Sequence, residues 1–475
     1  MSGVGLDPKT APLFPIAAKT AMGNTQLRKN VRHATDLIQA KRARVVGEMP
    51  DWQDLREAGK QIRQHTMENL DFYLEEFEAN CTRAGGVVHW ARDAAEARRI
   101  IVSLVKASGS EEVIKIKSMT TEEIQLNSAL EEAGIHPFET DLAELIIQLG
   151  EDRPSHIVVP ALHKNRHEIR EIFRTKMNLP DLGDQPHDLA DAARMFLREK
   201  FLRVKTGVSG ANFLIAETGG VCITESEGNG RMCLTLPETL IAVAGIDKVI
   251  PRYQDLEVFL QLLPRSATGE RMNPYNSVWT GVNAADGPQI FHVVLMDNAR
   301  TEILADEEAR QTLNCIRCAA CQNACPVYQQ TGGHAYGSVY AGPIGAILTP
   351  QLQEMHYAQS LPYASSLCGA CYEVCPVKIN IPEVLIHLRN KVVKQKGLSA
   401  EALAMRTMGM IFRSERRFRA AQRLGQVAET PLVRKDGWIG WLPGQLGGWT
   451  QARDLKKMPK ETFRDWWEKR GKNGN

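Results

Sequence analysis

Along the chain, hydrophobic and polar positions change their spacing three times. Up to about residue 80 the apolar residues recur at helical intervals, and Asp51-Trp-Gln-Asp-Leu-Arg-Glu-Ala opens a helix with Asp51 at the N-cap position. From about Gly85 short β-branched runs alternate with amphipathic segments. Gly86-Val-Val-His-Trp reads as a strand, and Asp93 to Ala107 as a helix with Ala97, Ile100, Ile101 and Leu104 on one face. Further strands are expected at Val113–Ile116, Ile135–Phe138 and His156-Ile-Val-Val-Pro, and helices at Thr121–Ala133 and His163–Met177. Thr120 and Glu123 stand at capping-box positions for the helix at Thr121. The alternation continues through Val221-Cys-Ile-Thr, Leu240-Ile-Ala-Val-Ala, a helix Asp255–Leu263 and Phe291-His-Val-Val-Leu-Met.

Strands separated by helices of this length predict βαβ units, so residues 85–300 are expected to form one α/β domain around an open, mostly parallel sheet. Residues 1–84 precede it as a helical segment. After Asn298 the β pattern stops, and 301–395 is expected to be α-helical, with a lead-in at Asp306–Leu313 and a glycine-rich stretch Thr331-Gly-Gly-His-Ala-Tyr-Gly. Residues 396–475 form a basic helical region that loosens at Gly437-Trp-Ile-Gly-Trp-Leu-Pro-Gly and ends in a short helix with Trp466 and Trp467. Several regions suit a 475-residue chain, which exceeds what one core usually organises.

A composition of 43% hydrophobic and 24% charged residues is that of a globular protein, and a net charge of +2 argues against a nucleic-acid binder. The average hides an asymmetry. From Ile386 to Asn475 there are 20 Lys and Arg against 8 Asp and Glu, which leaves the rest of the chain at −10. Such a tail is either a solvated helical face or a docking surface for a partner or anionic lipid. No apolar run reaches the ~20 residues that span a bilayer. Met1–Thr20 lacks the basic-then-apolar order of a secretory signal, so a cytoplasmic location is expected. Thiols stay reduced there, and the ten cysteines read as ligands rather than disulfides.

Seven of those cysteines fall between 315 and 375. Cys315-x2-Cys318-x2-Cys321-x3-Cys325-Pro326 has the spacing of bacterial ferredoxins, and Cys368-x2-Cys371-x3-Cys375-Pro376 repeats its second half. Three thiolates two residues apart wrap one iron–sulfur cluster, while the fourth, before proline, reaches the other cluster. By that rule Cys315, Cys318, Cys321 and Cys375 hold cluster one, and Cys325, Cys368 and Cys371 hold cluster two. Cluster two is one cysteine short, with Ser365 at the vacant position. It is expected to be 4Fe–4S with a non-cysteine ligand, 3Fe–4S, or completed by a partner. Paired cysteines also build zinc sites, but the full run ending in Cys-Pro favours iron–sulfur. Cys81, Cys222 and Cys233 have no such spacing and are read as packing residues.

Neither a G-x-G-x-x-G nor a G-x-x-x-x-G-K-[ST] run occurs in the α/β region, so neither a nicotinamide nor an ATP site is signalled. Candidate ligand groups there are Lys117-Ser118, Glu217-Thr-Gly-Gly and Asn229-Gly-Arg231, with Lys117 or Arg231 able to hold a carboxylate or phosphate. His156, His163 and His167 lack the intervening glutamate of a zinc helix and are read as surface or core histidines. His334 is either incidental to its loop or a hydrogen-bond partner that tunes a cluster.

Lys115-Ile-Lys-Ser-Met-Thr-Thr-Glu-Glu-Ile, Ser155-His-Ile-Val-Val-Pro-Ala-Leu-His-Lys-Asn-Arg-His, Ala216-Glu-Thr-Gly-Gly-Val and Gly332-Gly-His-Ala-Tyr-Gly-Ser occur in that order. Together with Cys315-Ile-Arg-Cys-Ala-Ala-Cys and Leu361-Pro-Tyr-Ala-Ser-Ser-Leu-Cys-Gly-Ala-Cys they resemble the lactate utilization protein B family, from about residue 30 to the C-terminal helices. The resemblance implies an α/β domain similar to sugar-phosphate isomerases and CoA transferases, followed by an α-helical two-cluster ferredoxin domain. It also implies an electron-transfer subunit that acts with lactate utilization proteins A and C to oxidise L-lactate to pyruvate. It assigns no catalytic residue. The residues alone leave open a stand-alone 2-hydroxy-acid or amino-acid dehydrogenase, or a redox-sensing iron–sulfur protein.

Overall fold

The computed structural model describes residues 9–472 except 398 and 452, and the chain divides into two units, Met1–Val392 and Val393–Asn475. The first unit is built on ten strands: β1 (Gly86–Ala91), β2 (Glu112–Lys115), β3 (His136–Glu139), β4 (Thr206–Ser209), β5 (Phe213–Ile215), β6 (Gly220–Glu225), β7 (Thr239–Gly245), β8 (Val249–Ile250), β9 (Tyr275–Trp279) and β10 (Ile290–Met296). Six of them form an all-parallel sheet in the order β1-β10-β7-β4-β2-β3. The other four form a mixed sheet in the order β8-β5-β6-β9.

The apolar residues of the parallel sheet alternate between two cores, as the period of two in a strand requires. Ile241, Val243, Val294 and Met296 face a small core with Ala97, Ile101 and Val105 of the helix Ala94–Ala107. Leu240, Ala242, Ala244, Val293 and Leu295 face the large core, which runs on into the cysteine region. Both faces are covered, which is why β7 reads as a continuous apolar run.

Several local expectations are corrected. His156–Pro160 is a bend, not a strand, because the His156 ring Nδ1 accepts from the backbone N–H groups of Val158 and Val159, both at 3.0 Å, and folds the segment back on itself. The helix expected at Thr121–Ala133 is two, Met119–Glu123 and Leu126–Glu132. Between them Gln125 takes φ 51, with Ile124 and Leu126 both buried in the small core. Ser118, rather than Thr120, caps the first piece by accepting from Thr121 N at 3.4 Å. Asp51 stands at its N-cap without a side-chain bond. The helix placed at His163 starts at Arg166, where Asn165 and Glu168 make a full capping box. Val221-Cys-Ile-Thr is a strand of the mixed sheet, not of the parallel one.

Four helices, Phe14–Met22, Thr25–Gly47, Trp52–Glu68 and Leu70–Arg83, precede β1. The second and third reach the cysteine loops. Gln39 donates to Asn323 O at 2.9 Å, Arg42 to Val374 O at 3.0 Å, and Arg56 to Cys375 O at 2.9 and 2.7 Å. The cysteines thus sit within the first unit, between N-terminal helices and the large core.

In the second unit the helices Ala400–Phe412 and Glu415–Glu429 bury none of their residues, and a short hairpin pairs β11 (Trp438–Ile439) with β12 (Leu455–Lys456) before the helix Phe463–Lys472. Leu403, Met405, Phe412, Leu424, Val427 and Trp467 are exposed there among the basic residues. Among the described residues no helix is long and apolar enough to cross a membrane.

Candidate functional site

The seven clustered cysteines are free thiols on short loops and helix starts, not parts of disulfides. Backbone turns aim them. Arg317 (φ 61) and Ala319 (φ 61) flank Cys318, and Leu367 (φ 55) and Gly369 (φ 84) flank Cys368, so the two loops share a left-handed turn on either side of a cysteine. Three of these four are not glycine, and each costs conformational energy that a packed site must offset.

The thiols fall into two electrostatic neighbourhoods. Cys318 feels Cys375 and Cys315, and Cys321 feels Cys315 and Cys318 most, then Cys371, and Cys375 least. Cys325 feels Cys368, and Cys371 feels Cys325 and Cys368. Only Cys321, which also feels Cys371, reaches across. Burial, then repulsion by neighbouring thiols, pushes Cys371 up to about 12. Burial pushes Cys375 up to about 11. Burial also raises Cys321 far above its ordinary value, with Cys315 and Cys318 adding to the shift. Buried thiols resist ionisation on their own, a resistance that a cationic iron core would reverse.

The surroundings favour an anionic cluster. The sulfurs of Cys315, Cys325 and Cys375 accept backbone N–H bonds from Arg317 at 3.4 Å, Tyr328 at 3.5 Å and Ile379 at 3.3 Å. Arg42, Arg56, Arg63, Lys248 and Arg317 stand around the first neighbourhood. That neighbourhood is largely buried, whereas Cys368 of the second is exposed. Ser365 is half-buried, and its hydroxyl accepts from Leu367 N at 3.1 Å.

Behind Cys315 lies a buried charge network that sequence reasoning missed. Asp247, just past β7, accepts from Arg300 Nε at 2.5 Å and Arg317 Nη2 at 3.3 Å, and its carbonyl accepts from Arg63. Arg300 continues to Glu123 at 2.9 and 3.0 Å, where Tyr340 also donates at 2.7 Å. Burial alone would raise the Asp247 carboxyl, but Arg300 and Arg317 outweigh it and hold it well below the usual carboxylate range. Lys248, the next residue, is 7% exposed, and its side chain makes no hydrogen bond or ion pair with any described residue. Burial, then Arg317, lowers it to about 7. Ile246-Asp-Lys follows the apolar run 240–245 of β7, and charges at the carboxyl end of such a strand were the available signal.

The other candidates separate. Lys117, Ser118 and Asn229 line a cavity with Lys248 and Arg317. Arg231 instead lies over the ring of Tyr275 at 5.0 Å. Glu217-Thr-Gly-Gly is the turn between β5 and β6, where a Cβ on Gly219 would overlap the backbone of Cys81. His156 is a core residue, bonded to Asn323 at 2.9 Å and lowered by burial to about 3. His167 is exposed and contacts Arg170. His163 joins Asp152 at 3.1 Å and Ser155 at 2.7 Å, and His334 bonds Arg153 O at 2.8 Å rather than a cysteine sulfur. Asp152, His163 and His334 lie close together, but Lys164 also pairs with Asp152, so the group serves as a hydrogen-bonded brace. The glycine-rich loop packs against this brace. A Cβ on Gly333 would overlap the carbonyl oxygen of Ser155, so Gly333→Ala should lower the melting temperature by several degrees, an effect of about 1–3 kcal/mol, in a thermal unfolding scan. Cys81, Cys222 and Cys233 are buried, and burial raises each of them, as expected of inert packing thiols.

Residues 74–296 match the LUD domain, 311–379 a 4Fe-4S dicluster domain, and 387–472 the lactate utilisation protein B C-terminal region. Lactate utilization protein B 1 of Bacillus mycoides is 43% identical over 474 residues, 99% of this chain and 98% of its own. Lactate utilization protein B of Bacillus licheniformis is 43% identical over 465 residues, 97% of each chain. A crystal structure of a DUF162 family protein from Deinococcus radiodurans covers 48% of this chain and 98% of its own at 15% identity, with a TM-score of 0.26. The dicluster match agrees with the cysteine spacing that called for iron–sulfur, and relatives are aligned along almost the whole length: the chain belongs to the lactate utilization protein B family.

Proposed function

We propose that the chain is the electron-transfer subunit of a complex that oxidises L-lactate to pyruvate. The division of the seven thiols into a group of four, three of them buried, and a group of three that includes the exposed Cys368 carries this reading. Cys315, Cys318, Cys321 and Cys375 would hold a 4Fe–4S cluster, and Cys325, Cys368 and Cys371 a second cluster with one non-cysteine position near Ser365. Clusters bound there would accept and release electrons one at a time, as a two-electron oxidation feeding a relay requires. The protein's part is to set that exchange. Backbone N–H groups donate to the sulfurs and favour their anionic form, and Arg42 and Arg56 fix the loop that carries Cys375. The exposed side of Cys368 is where electrons would pass to or from another protein.

Lactate utilization proteins A and C are the partners this reading names, in the cytoplasm, and the basic second unit with its exposed apolar residues is the surface offered to one of them. The all-parallel sheet also supports an architecture shared with sugar-phosphate isomerases and CoA transferases. In a host with no other lactate dehydrogenase, deleting the gene should abolish growth on L-lactate while growth on pyruvate persists. Unchanged growth on L-lactate would sink the proposal.

A further inference from the structure

The cavity of about 250 Å³ that contains Lys117, Ser118 and Lys248 lies outside the cluster sites. Its floor is made by segments just beyond the ends of three adjacent strands of the parallel sheet: Ile116–Ser118 after β2, Gly210–Asn212 after β4 and Lys248 after β7. That edge is where open parallel sheets bind ligands. Arg317 and Tyr340 complete it from the cysteine region, and Arg317 lies between Cys315 and Cys318. A ligand there would sit one residue from the first cysteine group.

The charges in the cavity are unevenly satisfied. Lys117 donates to Val158 O at 2.9 Å and lies 4.0 Å from Glu144. Arg317 is paired with Asp247 at 3.3 Å and bonded to Cys315 O at 3.1 Å. Among the acids, Asp141 accepts from Ala143 N at 3.1 Å, and Glu225 accepts from Gly228 N at 2.6 Å and Glu227 N at 2.9 Å. Glu270 is exposed at the rim. Of the charged groups lining the cavity, Lys248 alone is buried yet makes no hydrogen bond or ion pair with a described residue, an arrangement that an anion in the cavity would complete. Lys248 offers a single cation without an ion-pair partner, while Asp141 and Glu225 are held by backbone N–H groups, a balance that fits a carboxylate better than a phosphate dianion. Asn212 adds neutral polarity. Its Oδ1 accepts from Thr224 N at 2.9 Å, and its amide NH2 makes no bond to any described residue. Such a donor suits a hydroxyl or carbonyl oxygen beside the carboxylate.

We propose that this cavity is a binding site for a small monocarboxylate bearing a 2-hydroxy or 2-oxo group, with Lys248 pairing the carboxylate. The choice of L-lactate as the probe rests on the proposed function, whereas the anion site itself does not.

The test is calorimetric titration of the anaerobically purified, oxidised full chain with L-lactate, its neutral analogue lactamide, and inorganic phosphate. L-lactate should bind at least about tenfold more tightly than lactamide, the discrimination typical of a buried charge partner. Lys248→Met should weaken L-lactate by at least about tenfold with no fall in melting temperature, since it removes a buried cation that has no ion-pair partner. Lys248→Arg should recover part of the affinity. Asn212→Asp, nearly isosteric, should weaken L-lactate about as much by adding a negative charge. No L-lactate binding, equal binding of lactamide, tighter binding of phosphate, or wild-type affinity in both Lys248→Met and Asn212→Asp would each overturn the assignment. Because the titration needs no electron transfer, its failure leaves cluster reduction by the lactate system as a separate result.

Discussion

A Cys375→Ser variant is expected to lose the same cluster as Cys315→Ser and Cys318→Ser, although Cys375 lies in the second motif. The reason is electrostatic. Cys375 belongs electrostatically with Cys315 and Cys318, and the loop that carries it is anchored by Arg56 through two hydrogen bonds to its carbonyl. Cys325→Ser, in turn, should give the spectrum of Cys371→Ser. Each variant should lose about half of the iron, as expected when one of two clusters fails to assemble. EPR of dithionite-reduced samples is the check. Grouping by motif, with Cys375→Ser matching Cys371→Ser, would refute the crossover. Loss of both signals in every variant would show that the two sites do not assemble independently, and the assignment of ligands to separate clusters would fall with it.

The second large effect is expected at Asp247, far in sequence from the seven clustered cysteines. Removing its carboxylate leaves Arg300 and Arg317 buried with less than their full complement of negative charge, since only Glu123 continues to neutralise Arg300. Breaking a buried pair of this kind costs about 3–5 kcal/mol, so Asp247→Ala should unfold at a much lower denaturant concentration at pH 7. The sign with pH follows from the depressed carboxyl. Its stabilisation is complete above the unfolded carboxylate value of about 4 and is lost as pH falls below it. The gap between wild type and variant should therefore narrow only in strong acid. A variant of wild-type stability at neutral pH would show that the network contributes little to the fold.

How much of this was legible beforehand depended on the range of the interactions. The cysteine runs were readable because a cluster imposes its spacing on a few consecutive residues. Strands such as β7 and β10 announced themselves by apolar runs, and Gly333 sat in a conspicuous loop. β5 and β8 did not: at three and two residues they are too short for a period to show. His156–Pro160 has a strand's composition, but a local side-chain-to-backbone bond overrode it. Lys117 and Ser118 were found because they end a visible strand, but their cavity partner Lys248 was not. Its meaning depends on Arg317, which lies 69 residues away, and on an acid already claimed by two arginines. Spacing within a motif cannot reveal a pairing made by the fold.

Whether two clusters carry electrons from L-lactate is decided by anaerobic purification of the chain with lactate utilization proteins A and C. Iron and acid-labile sulfide would be counted, and EPR spectra recorded before and after adding L-lactate. About seven or eight iron atoms per chain are expected, according to whether the second cluster holds three or four. The cluster signals should change when L-lactate is added and not when lactamide is. Protein that carries zinc without iron or sulfide, or clusters that dithionite reduces but L-lactate leaves untouched in the complete complex, would contradict an electron-transfer role in lactate oxidation.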